Sequence, residues 1–173
     1  MRNLSLEVED LDTNLDNNIF QVTASSTLDG VRNEGMVVIN NATTLSLMGD
    51  LTNNGIVDIA STGSNTVLSI SDIGDEIVEL KGTGRLVLNH ATMDRVGGST
   101  NHKLIQGAAH TIEGTGSVGL AAIMFENRGK VSASVAGEKI TMDTRLEFTD
   151  SLPLPAPDAN FFVRFGSDPD ASP

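Results

Sequence analysis

From residue 33 onward the chain restates one pattern, a polar corner closed by glycine and followed by aliphatic residues at alternate positions. It is seen in NEGMVVIN (33–40), NNGIVDIA (53–60), GTGRLVLN (82–89) and GTGSVGLA (114–121), with NRGKVSAS (127–134) as a weaker fifth. Apolar side chains at every second position mark strands with one buried face. Further alternating pieces lie between them: TTLSLMG (43–49), TVLSIS (66–71), EIVELKG (76–82), HKLIQG (102–107), HTIEG (110–114) and EKITM (138–142). Helical spacing is confined to LAAIMFENRG (120–129), which in this repeat context is read as strand or irregular loop.

The glycines that align the phrases are Gly35, Gly55, Gly84, Gly116 and Gly129, separated by 20, 29, 32 and 13 residues. An uneven period of this size belongs to solenoids, in which extra residues map to loops. Asn and Gly bend the chain at low cost, and the aliphatics that follow turn every second side chain inward. One such rung cannot bury its apolar face, but rungs stacked about 4.8 Å apart share a continuous aliphatic column. The expected fold is all-β: a single-domain parallel β-solenoid (β-helix) of single-stranded rungs over residues 31–142. Atypical ends flank it, an N-terminal strand and acidic cap over 1–30 and a Pro-rich extended tail over 143–173. Asn residues at equivalent corners are expected to hydrogen-bond along the stack.

Composition agrees with this reading. Six Phe and no Trp or Tyr leave an aliphatic core suited to a narrow interior, and 173 residues suffice for one domain. The formal charge of −12 repels phosphate backbones, which excludes nucleic acid as a partner. The charge is concentrated at the ends, with −5 over residues 1–30, −3 over 31–142 and −4 over 143–173. No apolar run approaches membrane-spanning length, so a soluble chain without a membrane span is expected. The absence of cysteine excludes disulfides and thiolate chemistry.

LTNNGIVDI and the segment from Asn101 to Met142 resemble repeats of exported bacterial β-solenoid proteins, namely autotransporter passengers and filamentous-haemagglutinin-like surface proteins. Ile112, Gly114, Gly116 and Val118 match the first half of the motif I-x-G-x-G-x-[IV]…N-x-G-x-[IV], and Asn127, Gly129 and Val131 match its second half. The resemblance implies secretion, display at the bacterial cell surface, and adhesion or scaffolding, with a surface glycan or receptor as partner.

Catalytic chemistry finds little support. His90, His102 and His110 lie 12 and 8 residues apart, without metal-ligand spacing, and are read as polar loop or corner residues. Ser99 and Thr100 lack a nucleophile elbow. Asp72, Asp75 and Glu76 crowd into one loop and read as a solvated turn rather than as the acids of a polysaccharide-cleaving β-helix. The chain is therefore expected not to be an enzyme and to need no cofactor, with calcium as the one candidate ion. Asp12, Asn14 and Asp16 resemble the first half of a calcium loop, whose later positions are here Asn17 and Thr23. In the tail, Phe161, Phe162 and Phe165 are expected to cap the last rung or to link it to a neighbouring copy. The function expected is that of a structural subunit or segment of a surface fibre or adhesin, assembling end to end. Polysaccharide binding or cleavage is the alternative.

Overall fold

A computed structural model describes residues 19–71 and 77–144, and every regular element among them is a strand. The strands wind as a parallel β-solenoid. Each full turn crosses three faces, called A, B and C, so the expected single strand per rung is instead three. Turn 1 comprises β1 (Ile19–Val22), β2 (Ser26–Leu28) and β3 (Arg32–Asn33), and turn 2 comprises β4 (Met36–Asn40), β5 (Thr44–Leu47) and β6 (Leu51–Asn53). Turn 3 comprises β7 (Ile56–Ala60), β8 (Thr66–Ile70) and β9 (Ile77–Lys81), and turn 4 comprises β10 (Arg85–Asn89), β11 (Asp94–Gly98) and β12 (Lys103–Gln106). In turn 5 the single long strand β13 (Thr111–Val118) serves faces A and B, and β14 (Met124–Asn127) serves C. A partial sixth turn adds β15 (Lys130–Ala133) on A and β16 (Ile140–Met142) on B.

All pairings are parallel and in register. On face A the ladder steps from Ile19 to Met36, Ile56, Arg85, Thr111 and Lys130, so successive turns take 17, 20, 29, 26 and 19 residues. Register is held because a slip of one residue would turn every apolar side chain outward. Inward columns run Val37, Val57, Leu86, Ile112 on A, Leu45, Leu68, Val96, Val118 on B, and Val78, Leu104 on C, and all of these are buried.

Two further differences from the sequence reading, at the start of the solenoid and at Gly116, have local causes. The solenoid already includes residues 19–33, because β1 and β2 pair with β4 and β5 and bury Val22 and Leu28 in the core. The segment 120–129 is strand and loop, as its repeat context indicated: Leu120 and Ala121 turn with positive φ, and β14 then pairs with β12. Gly116 does not align with the other corner glycines. It lies inside β13 on the bend between faces A and B, and the position in line with Gly35, Gly55, Gly84 and Gly129 is held by His110.

Candidate functional site

Among the described residues the interior is apolar along its faces and polar at two of its corners. Among the described residues the buried polar side chains are Asn33, Asn53, Gln106 and His110 at the corner from C to A, and Thr43, Thr66, Asp94 and Thr115 at the corner from A to B. At corners the chain leaves the ladder, and its backbone groups need other partners.

At the C–A corner these side chains form a ladder along the axis. Asn33 donates from Nδ2 to Asn53 Oδ1 at 2.8 Å and accepts the Gly35 N–H at 3.1 Å. Asn53 Nδ2 in turn donates to the Arg85 carbonyl at 3.1 Å and lies 3.1 Å from His110 Nε2. This contact spans the Gly82-Thr83-Gly84 corner of turn 3. A Cβ on Gly84 would stand 2.3 Å from the Gly55 carbonyl and 2.9 Å from Asn53 Nδ2, so a side chain there would displace the ladder. Gln106 Nε2 continues the ladder upward, donating to the carbonyls of His110 and Lys130, each at 2.8 Å. Burial pushes the His110 imidazole from its ordinary 6.5 to about 4, so the ring is neutral at neutral pH.

The A–B corner is organised by Asp94. Its carboxylate is fully buried and accepts the backbone N–H of Ser61 at 3.1 Å, of His90 at 2.9 Å, and of Asn89. Asp58 lies nearby on the outer face, bonded to the Asn89 amide. Burial pushes its carboxyl above the usual range, opposed by Asn89 and reinforced by the charge of Asp94.

Outside, face C carries an alternating chain of charges. Lys81 pairs with Asp50 and lies 3.8 Å from Glu79, Arg128 lies 3.8 Å from Glu79 and 2.6 Å from Glu126, and Lys103 lies 2.6 Å from Glu126. Hydrogen bonds from Lys103 and Arg128 hold the Glu126 carboxyl below its ordinary value. Where the C–A corner opens onto face A, an open depression of about 370 Å³ is lined by Asn54, Thr83, Arg85, Thr111, Glu113 and Lys130 among others. Arg85 and Glu113 are paired there at 3.0 Å.

The residues singled out from sequence are distributed as follows. Gly35, Gly55, Gly84 and Gly129 stand at the C–A corner, and Gly116 does not. The three histidines occupy three different corners: His90 between A and B, His102 between B and C, and His110 between C and A. Ser99 and Thr100 are exposed at the B–C corner. Among the described residues no group of three or more His, Asp or Glu is placed to hold a metal. Asp12, Asn14 and Asp16, the Asp72–Glu76 loop, and Phe161, Phe162 and Phe165 lie outside the described residues. No helix among the described residues is long and apolar enough to cross a membrane. Comparison with protein-family models, with curated proteins and with solved structures finds no match.

The buried roles of His110, Asp94 and Gln106 were missed in the sequence. One signal was available: aligning His110 in place of Gly116 turns the separations of 32 and 13 into 26 and 19, which are closer to the rest of the series.

Proposed function

We propose that the chain is a structural and interaction protein of the bacterial cell exterior, a β-solenoid subunit or segment of a surface fibre or adhesin that associates end to end. The observation that carries this reading is the state of the two ends. Among the described residues β15 and β16 pair only with β13, and their neighbours along the axis are open. Their inward residues Val131 and Ile140 are half-buried, and Val135 and Met142 are exposed. At the other end Phe20 and Val31 are likewise half-buried, and Ile19 is 50% exposed. A parallel edge with unmet N–H and C=O groups and a partly covered apolar column is a template for another parallel strand. Contacts of this head-to-tail kind do not close on themselves and give filaments.

In this reading the chain is not an enzyme, and its buried histidine and aspartate serve the fold. The test is sedimentation and electron microscopy of the purified chain at rising concentration. Filaments that lengthen with concentration, and that are lost when residues 151–173 are removed, support the proposal. A chain that stays monomeric at every concentration, with and without calcium, overturns it.

A second reading, glycan binding, is favoured by the depression at the C–A corner, whose amide, hydroxyl and paired-charge lining offers both donors and acceptors to a hydroxyl-rich ligand. Glu113 is the carboxylate in that lining and is engaged by Arg85, which suits binding better than the two-carboxylate chemistry of hydrolysis. Binding to a glycan panel that is lost in Arg85→Ala supports this reading. Release of new reducing or unsaturated ends would instead favour cleavage.

A further inference from the structure

The C–A ladder has a direction that its backbone partners impose. Asn33 accepts the Gly35 N–H through Oδ1, and its Nδ2 donates to the carbonyls of Gly35 at 3.3 Å and Ile56 at 3.2 Å as well as to Asn53. The Asn33 amide therefore cannot flip without losing all four contacts. Asn53 must then present its oxygen to Asn33 and its N–H groups to the Arg85 carbonyl and to His110. That leaves His110 Nε2 as an acceptor, a bare ring nitrogen with the ring proton on Nδ1, which has no partner among the described residues.

We propose that this ladder is a proton-operated latch, in which one proton taken from solvent onto His110 Nε2 breaks it and loosens the C–A corner from turn 1 to turn 5. A proton on the Nε2 lone pair sets N–H against N–H across the 3.1 Å contact. Flipping Asn53 does not relieve this, because its oxygen would then meet the Arg85 carbonyl and its amino group would meet that of Asn33. Among the described residues the charged ring also lacks a counter-ion. Asn53 meets it along the axis, Gly84 and Gly129 hold the aligned positions on either side, and Gln106 binds its carbonyl. The corner's charged residues, Arg32, Glu34, Lys81, Arg85, Arg128 and Lys130, lie on its outer surface. The depressed basicity of the ring agrees with this geometry. Displacement of His110 is passed to the next turn, because its carbonyl receives the Lys130 N–H at 3.1 Å and the Gln106 amide.

Site-resolved hydrogen exchange on the intact chain, corrected for intrinsic rates, tests the latch. Between neutral pH and about pH 4.5, opening at the corner amides of Asn54, Arg85, Thr111 and Lys130 is expected to rise on the order of tenfold or more, and by clearly more than at Met48 and Ser71, just past the face B strands. His110→Asn is expected to abolish the rise, and His90→Asn and His102→Asn to keep it. Should His110→Asn fail to fold, the imidazole nitrogen shifts of the wild-type chain decide: the Nδ1–H form at neutral pH is expected. An Nε2–H form, a corner that does not respond to acid, or acceleration shared equally by face B overturns the proposal.

Discussion

Gly55 shows what a single position must satisfy at a corner of this fold. A Cβ placed on it would stand 1.9 Å from the Gly35 carbonyl, so Gly55→Ala has to push two turns apart and is expected to cost about 3 kcal/mol. Its neighbour Asn54 faces outward, donating to Glu34 at 2.8 Å and accepting from the Thr83 N–H at 3.1 Å. Asn54→Ser is expected to cost at most about 1 kcal/mol, and denaturant midpoints of the two variants should separate them clearly. His110 sets the pH dependence. With a folded pKa of about 4 against an ordinary 6.5, the unfolded chain takes up a proton that the folded chain refuses, so stability held above pH 6.5 is lost as pH falls through this window. The loss by about pH 5 is about 2 kcal/mol. Asp58, whose carboxyl burial raises, works in the opposite sense as acid is added. Glu34, held low by Asn54 and then Arg32, and Glu126, held low by Lys103 and then Arg128, lose their contributions only on further acidification. The wild-type midpoint is therefore expected to drop between about pH 7 and about pH 5, and the midpoint of His110→Asn to stay level.

Strands and corners divide the work of stabilising the fold. A strand contributes through its inward column: Ile59 in β7 is fully buried between Ile39 and Leu88, and Ile59→Ala is expected to cost about 3 kcal/mol. The A–B corner contributes through Asp94. Asp94→Ala strands three backbone donors and should cost about as much, read as a lowered midpoint in urea. The outer charge chain on face C is different in kind. Lys81 and Asp50 are 46% and 43% exposed, so Lys81→Ala is expected to cost less than about 1 kcal/mol and to matter less still in salt.

At the scale of the whole molecule, each turn touches its axial neighbours, so stability is a sum of turn terms and interface terms. Turns 3 and 4 are covered on both sides, whereas β15 and β16 pair on one side among the described residues. Hydrogen exchange is expected to be slowest in β7, β8, β10 and β11 and fastest in β15 and β16. Under assembling conditions β15 and β16 should become protected. Exchange at these edges that is unchanged across the monomer-to-assembly range would count against axial growth.

Much of this was legible from the amino acids alone. Alternating aliphatics restated after polar corners determined an all-β solenoid, because a two-residue period with repeated breaks leaves stacking as the way to bury each face. The strands β4, β5, β7, β8, β9, β10, β12 and β16 fall within the alternating segments read from sequence. Gly35, Gly55, Gly84 and Gly129 were recognised as corner residues because Gly marks a turn whatever surrounds it. Three faces per turn, the start of the solenoid by Ile19, and the inward placement of His110, Asp94 and Gln106 were decided only by the tertiary structure. A polar side chain reads the same in sequence whether it faces water or a neighbouring turn. Only axial stacking places His110 over the glycine corner of turn 3 within reach of Asn53, 57 residues away in the chain.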